Sequence, residues 1–198
     1  PVQIPPADRI HRNETLTQDT HWQGLVLVEG SLRVPPQVTL TVAPGTVVRF
    51  KTAQTGSSPS PGVLLVEGRI EVNGTSETPV LLLPAVTPTR PGDWQGIVLL
   101  GTEKRNLIRH CRMEGAETAI DALHSSITLE EVGIRTADTP LRLQESLAQV
   151  RGGELEDALV GAEVRNSELE MTGTRISGAR TGILAEGSSL LLEGVTLS

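Results

Sequence analysis

The sequence predicts an all-β solenoid, a single chain wound into about eight turns of short parallel strands. Three observations predict it. Apolar residues recur every 21 positions without a gap from Ile97 to Ser198. Within each copy they pair at i and i+2, the period of a strand rather than a helix. Aromatic residues make up only 2% of the chain, which suits aliphatic ladders better than a globular core.

Six columns carry the repeat. Ile127, Ala148, Leu169 and Leu190 form one; Leu129, Val150, Met171 and Leu192 form another. Ile134, Leu155, Ile176 and Leu197 continue the pattern, as do Ile120, Leu141, Ala162 and Ile183, and Ala122, Leu143, Val164 and Ala185. The sixth column, Val132, Gly153, Thr174 and Val195, holds the two non-apolar exceptions. An earlier copy fits in part through Leu99, Ile108, Cys111 and Met113. Positions between the columns, such as Thr128, Gln149 and Glu170, are mostly polar, so one side of each strand is buried and the other wet.

The corners are legible too. His110, Glu131, Gly152, Gly173 and Gly194 interrupt the alternation where a left-handed residue turns the chain, a conformation that Gly adopts at no steric cost. A second corner is expected at Glu103, His124, Glu145, Asn166 and Gly187. Ser125, Ser146, Ser167 and Ser188 follow that corner and read as turn hydroxyls bonded to local backbone, with a polar binding strip as the alternative. Ala116, Ala137, Ala158 and Ala179 are expected to pack where the chain crosses from the last strand of one copy to the next.

Residues 1–21 are polar, proline-containing and aperiodic, and read as an N-terminal arm or cap that hides the open end of a solenoid. Residues 22–198 read as the solenoid. Its first part, 22–96, has irregular turns interrupted by loops at 51–62 and 84–93; its second, 97–198, has regular ones. Loops on a rigid scaffold are the usual carriers of function, but the Ser, Pro and Gly of these two read as cover.

The runs around WQGLVLVEG, TLTVAPGTVVRF, LLVEGRIEVNGT and the second WQGI resemble the start of many bacterial right-handed parallel β-helix proteins. Later repeats such as GILAEGSSLLLEGVTL resemble the pectate-lyase-like β-helix repeat. The resemblance implies a single-stranded right-handed parallel β-helix. It leaves function open among polysaccharide lyases and hydrolases, adhesins and exported proteins without catalysis.

Net charge is −7, which argues against a nucleic-acid partner. No stretch is long and apolar enough for a membrane span. The first residue is Pro1 rather than Met, which raises the expectation of a processed, exported chain in the periplasm, at the cell surface or outside the cell. Cys111 lies in an inward column and reads as a buried small hydrophobe, not a reactive thiol.

No catalytic, cofactor-binding or metal-binding set emerges. The outward column Asp121, Arg142, Glu163 mixes signs as solvated faces do, and so does Glu117, Asp138, Arg180. His11, His21, His110 and His124 lack metal-ligand spacing. Trp22 and Trp94 share a W-Q-G context and read as core or cap residues, not as a sugar platform. The candidate interaction surface is Leu184, Leu191 and Leu197: the last copy puts leucine at two outward positions that are polar in the preceding copies. The expected partner there is another protein chain or a second copy, with polysaccharide as the other candidate ligand. The function that follows is an exported non-enzymatic scaffold of a cell-envelope or extracellular assembly; a carbohydrate-active enzyme or carbohydrate-binding module is the alternative.

Overall fold

In the computed structural model, residues 7–55 and 58–198 are described, with side chains given outside 53–59. The chain forms a right-handed parallel β-helix with three faces. Face 3 shows the architecture most simply. Its eight strands run Thr20–Trp22, Thr39–Val42, Arg69–Asn73, Asn106–Arg109, Ser126–Glu130, Leu147–Arg151, Glu168–Thr172 and Ser189–Glu193, each hydrogen-bonded to the next. One strand per turn gives eight turns, and Thr196–Leu197 begins a ninth.

Face 1 holds the first half of Leu25–Val34, then Val47–Lys51, Val80–Pro84, Cys111–Glu114, Gly133–Ala137, Glu154–Ala158, Arg175–Ser177 and Thr196–Leu197. Face 2 holds the second half of Leu25–Val34, then Val63–Val66, Gly96–Leu100, Thr118–Leu123, Thr139–Gln144, Val160–Arg165 and Thr181–Glu186. Leu25–Val34 serves both faces because Gly30, at φ 75°, bends it mid-strand.

The register is the one the columns demand. Ile127 pairs with Ala148 and Ala148 with Leu169; Leu141 pairs with Ala162 and Ala162 with Ile183. Through Ala162, Val164, Met171 and Ile176 the inward apolar side chains of the columns are at most 4% exposed. Stacking like on like lets each layer fill the space left by the one below, without rings. The two exceptions in the sixth column have separate explanations. Thr174 is buried, but its hydroxyl donates to the Gly152 carbonyl at 3.0 Å. Gly153 sits at φ 81°, where a Cβ would run into the Val132 carbonyl.

Each regular turn has three corners. His110, Glu131, Gly152, Gly173 and Gly194 all have positive φ, as the column predicts. The second corner holds at His124, Glu145, Asn166 and Gly187, but one turn earlier it falls on Gly101 at φ 59°, not on Glu103. That turn is longer: Leu100 pairs with Leu123 while Asn106 pairs with Ile127, so extra residues sit between Gly101 and Asn106. Asn106 therefore occupies an inward column, and its amide is used up. It donates to Thr102 Oγ1 (2.9 Å) and the Ser126 carbonyl (3.1 Å) and accepts from the Ile70 amide (3.0 Å). A third corner, at Gly115, Thr136, Asp157 and Gly178, carries no sequence signal comparable to the glycine column, because Thr and Asp hold the left-handed turn at two of its four positions.

Arg9–Thr15 pairs in parallel with Leu25–Val34, and Thr20–Trp22 with Thr39–Val42, so residues 9–22 make the first described turn. Its strand is polar except for the exposed Ile10, and His11 is the one buried side chain of the seven. The loop expected at 51–62 contains a small antiparallel hairpin, Ala53–Thr55 with Ser58–Ser60. Below it Phe50 stacks on Trp94, ring centroids 3.9 Å apart, and both are buried. Trp22 is 1% exposed, so both tryptophans are core residues.

Candidate functional site

The serine column is a structural ladder. The Ser125 amide donates to Ser146 Oγ (3.1 Å), the Ser146 amide to Ser167 Oγ (3.0 Å), and the Ser167 amide to Ser188 Oγ (3.1 Å). Ser146 Oγ in turn donates to the Ala122 and Gln144 carbonyls. These hydroxyls tie the second corner from turn to turn. The alanine column packs as expected, with Ala116 and Ala137 in the core cluster and Ala179 against it.

Several outward charges pair between turns. Arg142 lies between Asp121 (3.4 Å) and Glu163 (3.0 Å), and Glu163 also meets Arg165 (2.7 Å). Glu130 receives Arg109 (2.8 Å) and Arg151 (3.4 Å); Arg135 pairs with Glu114 (2.6 Å). Burial pushes the Asp121 carboxyl above the usual range, against the opposing pull of Arg142. Burial likewise drives the Cys111 thiol well above the ordinary thiol range, so it is not a nucleophile at neutral pH. Among the described residues, no cluster of His, Cys, Asp and Glu could hold a metal ion.

A shallow open groove follows the second corner, with His124, Glu145 and Asn166 stacked along it, one per turn. His124 Nδ1 stands 3.5 Å from Glu145 Oε2, and both side chains are more than half exposed.

Two apolar surfaces remain. In the last turn Leu184, Leu191 and Leu197 are 47%, 53% and 59% exposed, and Leu190 and Leu192 join them. Leu184 continues the outward column of Asp121, Arg142 and Glu163, and Leu191 that of Gln149 and Glu170. Leu197 belongs to an inward column, paired with Ile176. The second surface escapes a simple alternation argument. On face 1 the outward side chains of the early turns are also apolar: Leu25, Val47 and Leu81 stack in one column, Leu27 and Leu83 flank Arg49 in the next. All five are half-buried while Val26, Val28, Val48 and Leu82 fill the core. The sequence did carry a signal: LVLV and VLLL are unbroken apolar runs, the mark of strands covered on both sides.

A family profile described as the pectate-lyase like β-helix domain matches residues 10–124. The chain belongs to the pectate-lyase-like β-helix family. The match takes in the first turns and the face 1 apolar patch and ends in the regular half; beyond it the 21-residue register carries the same fold through the last described strand. No curated protein and no solved structure matches the chain. Family membership therefore supplies the scaffold, and function has to be argued from the surfaces.

Proposed function

We propose that this pectate-lyase-like β-helix is a non-enzymatic scaffold that binds another protein chain, as an exported component of a bacterial cell-envelope or extracellular assembly. The observation that carries the reading is the pairing of outward charges across turns. A general acid, base or electrophilic stabiliser has to aim its charge at a substrate. Here Asp121, Glu114, Glu130 and Glu163 aim theirs at arginines one turn away. The outward leucines Leu184 and Leu191 supply the docking surface.

Incubation of the purified protein with uronic-acid polymers, reading new reducing ends and the ultraviolet absorbance of unsaturated ends, tests the non-enzymatic part. The proposal expects no product above buffer; chain cleavage that scales with protein concentration overturns it. The alternative, carbohydrate binding without catalysis, draws on the groove with His124, Glu145 and Asn166. Retention on a glycan array that is lost in His124→Ala/Glu145→Ala would favour it. Fractionation of the source cells, with recovery in the cytoplasm only, would remove export from the proposal.

A further inference from the structure

We infer that a recess at the second corner, between the second and fourth turns, is a binding site for a single uncharged apolar ring. The recess is separate from the leucines of the last turn, and its failure would leave the docking surface proposed above untouched.

Unequal corners make the recess. Between face 2 and face 3 the second turn uses four residues, 35–38, the third uses two, 67–68, and the fourth uses five, 101–105. Every later turn uses two. The short corner is therefore sunk between two longer ones. Pro36 and Val38 wall one side, Leu100 and Lys104 the other, with Gly68 and Arg69 between them. The cavity measures about 300 Å³, at the small end for ligand pockets and enough for one ring.

Both walls are held in place. Asn106 is fully buried in a column that continues as Ile127 and Ala148. A polar side chain in an aliphatic ladder is costly unless its atoms are bonded. This one donates to Thr102 Oγ1 (2.9 Å) and the Lys104 carbonyl (3.4 Å), so it fixes the five-residue corner from inside. Outside, Arg69 donates to the Arg105 carbonyl (3.2 Å), and Arg105 reaches Gln149 Oε1 (2.9 Å). On the opposite wall a Cβ at position 68 would run into the Val38 and Pro35 carbonyls, so Gly68 lets the four-residue corner close on the short one. The recess is thus preformed.

The lining selects the ligand. Pro36, Val38 and Leu100 are apolar, and Leu100 is 38% exposed in a column that turns polar at Gln144 and Arg165. The charged residues of the lining, Glu67, Arg69, Glu103 and Lys104, sum to zero. Glu67 is paired with Arg33, and Arg69 with Glu71 at 2.6 Å, both partners lying outside the recess. An ion would meet its own sign as readily as the opposite one and would lose hydration. An uncharged ring buries against the three apolar side chains and disturbs no pair.

Fluorine NMR titration with 4-fluorophenol tests this. Wild type should shift and broaden the probe resonance saturably. Leu100→Glu, which puts a carboxylate on the apolar wall, should weaken binding at least tenfold. So should deletion of Glu103 and Lys104, which leaves three residues between Leu100 and Asn106, as between their partners Leu123 and Ile127. Leu159→Glu, at an exposed leucine outside the recess, should bind as wild type does. Far-ultraviolet circular dichroism and a denaturation midpoint confirm folding; should the deletion not fold, Leu100→Glu decides alone. The charged probes 4-fluorobenzoate and 4-fluorobenzylamine should bind at least tenfold more weakly at neutral pH. Two sources offer such a ring, a free molecule and an aromatic side chain of a protein. Tighter binding of N-acetyl-4-fluorophenylalanine amide than of 4-fluorophenol supports the site with the side chain as its source; weaker binding supports it with the free molecule. No saturation in wild type, Leu100→Glu binding as wild type does, or a charged probe that matches the neutral one overturns the inference.

Discussion

The Trp22 indole Nε1 donates to His11 Nε2 at 3.1 Å, while His11 Nδ1 lies 2.7 Å from Glu14 Oε2. Because Nε2 must accept, the proton of this imidazole is on Nδ1, and that proton goes to Glu14. One buried side chain thus fastens the polar first strand to the core beneath it. Removing it strands the indole N–H of a residue only 1% exposed. His11→Ala should cost about 1–3 kcal/mol. His11→Gln, which keeps an acceptor, should cost less. Hydrogen exchange should show Arg9–Thr15 opening first in the Ala variant; uniform loss of protection across all turns would contradict this.

The corner columns predict opposite signs for two substitutions. Gly173 has φ 63° and open space where a Cβ would go, so Gly173→Val should lose roughly 1–3 kcal/mol from backbone strain alone. Thr136 holds a β-branched residue at φ 55°, and Thr136→Gly should gain about 1 kcal/mol by relieving it. Urea denaturation of the two variants decides it; a Thr136→Gly protein less stable than wild type would mean that its side-chain contacts outweigh the strain.

Asp121 gives a pH dependence. Burial raises its carboxyl in the folded state, with Arg142 only partly offsetting this. Between acid pH and neutrality the folded protein therefore holds more proton at this site than the unfolded chain, so its contribution to stability falls as pH rises through the carboxylate range. Asp121→Asn removes that slope. Relative to wild type, the Asn variant should become more stable on going from about pH 4 to about pH 7. Denaturation midpoints that move the other way would show that the Arg142 pair dominates.

How much of this was legible in the sequence depends on how alike successive turns are. From Thr118 onward each inward position sees the same neighbours as its equivalent one turn away, so Ile127, Ala148 and Leu169 announce one another. In the first half, loops of unequal length separate paired strands, and Val47, Leu81 and Arg112 share a column that no fixed period finds. Arg9–Thr15 left no trace because a strand with one buried residue has no alternation to read. The face 1 patch was hidden for the opposite reason: Leu25 and Leu27 are apolar like Val26 and Val28, and alternation cannot rank four apolar neighbours. The leucines of the last turn stood out because polar columns ended in them.

Inside and outside should differ sharply in tolerance. Leu129 is 1% exposed, and Leu129→Asp would bury a carboxylate without a partner, a cost large enough to unfold the surrounding turns. The adjacent Glu130→Gln breaks only exposed pairs with Arg109 and Arg151 and should stay within about 1 kcal/mol. Comparable chemical denaturation of the two variants would contradict the assignment of faces.

The central claim is the 21-residue register, from which the core, the corners, the charge ladders and the bare leucines all follow. Gln149 is the Cα partner of Glu170, and Glu170 of Leu191, so Gln149 and Leu191 are two turns apart. Adjacent turns lie about 4.8 Å apart, within disulfide reach; two turns exceed it. The direct measurement is intact mass and thiol titration after mild oxidation of Gln149→Cys/Glu170→Cys and Gln149→Cys/Leu191→Cys, with Cys111 buried in both. The register predicts an intramolecular disulfide in the first protein and free thiols in the second. Equal cross-linking of both, or none in the first, would contradict it.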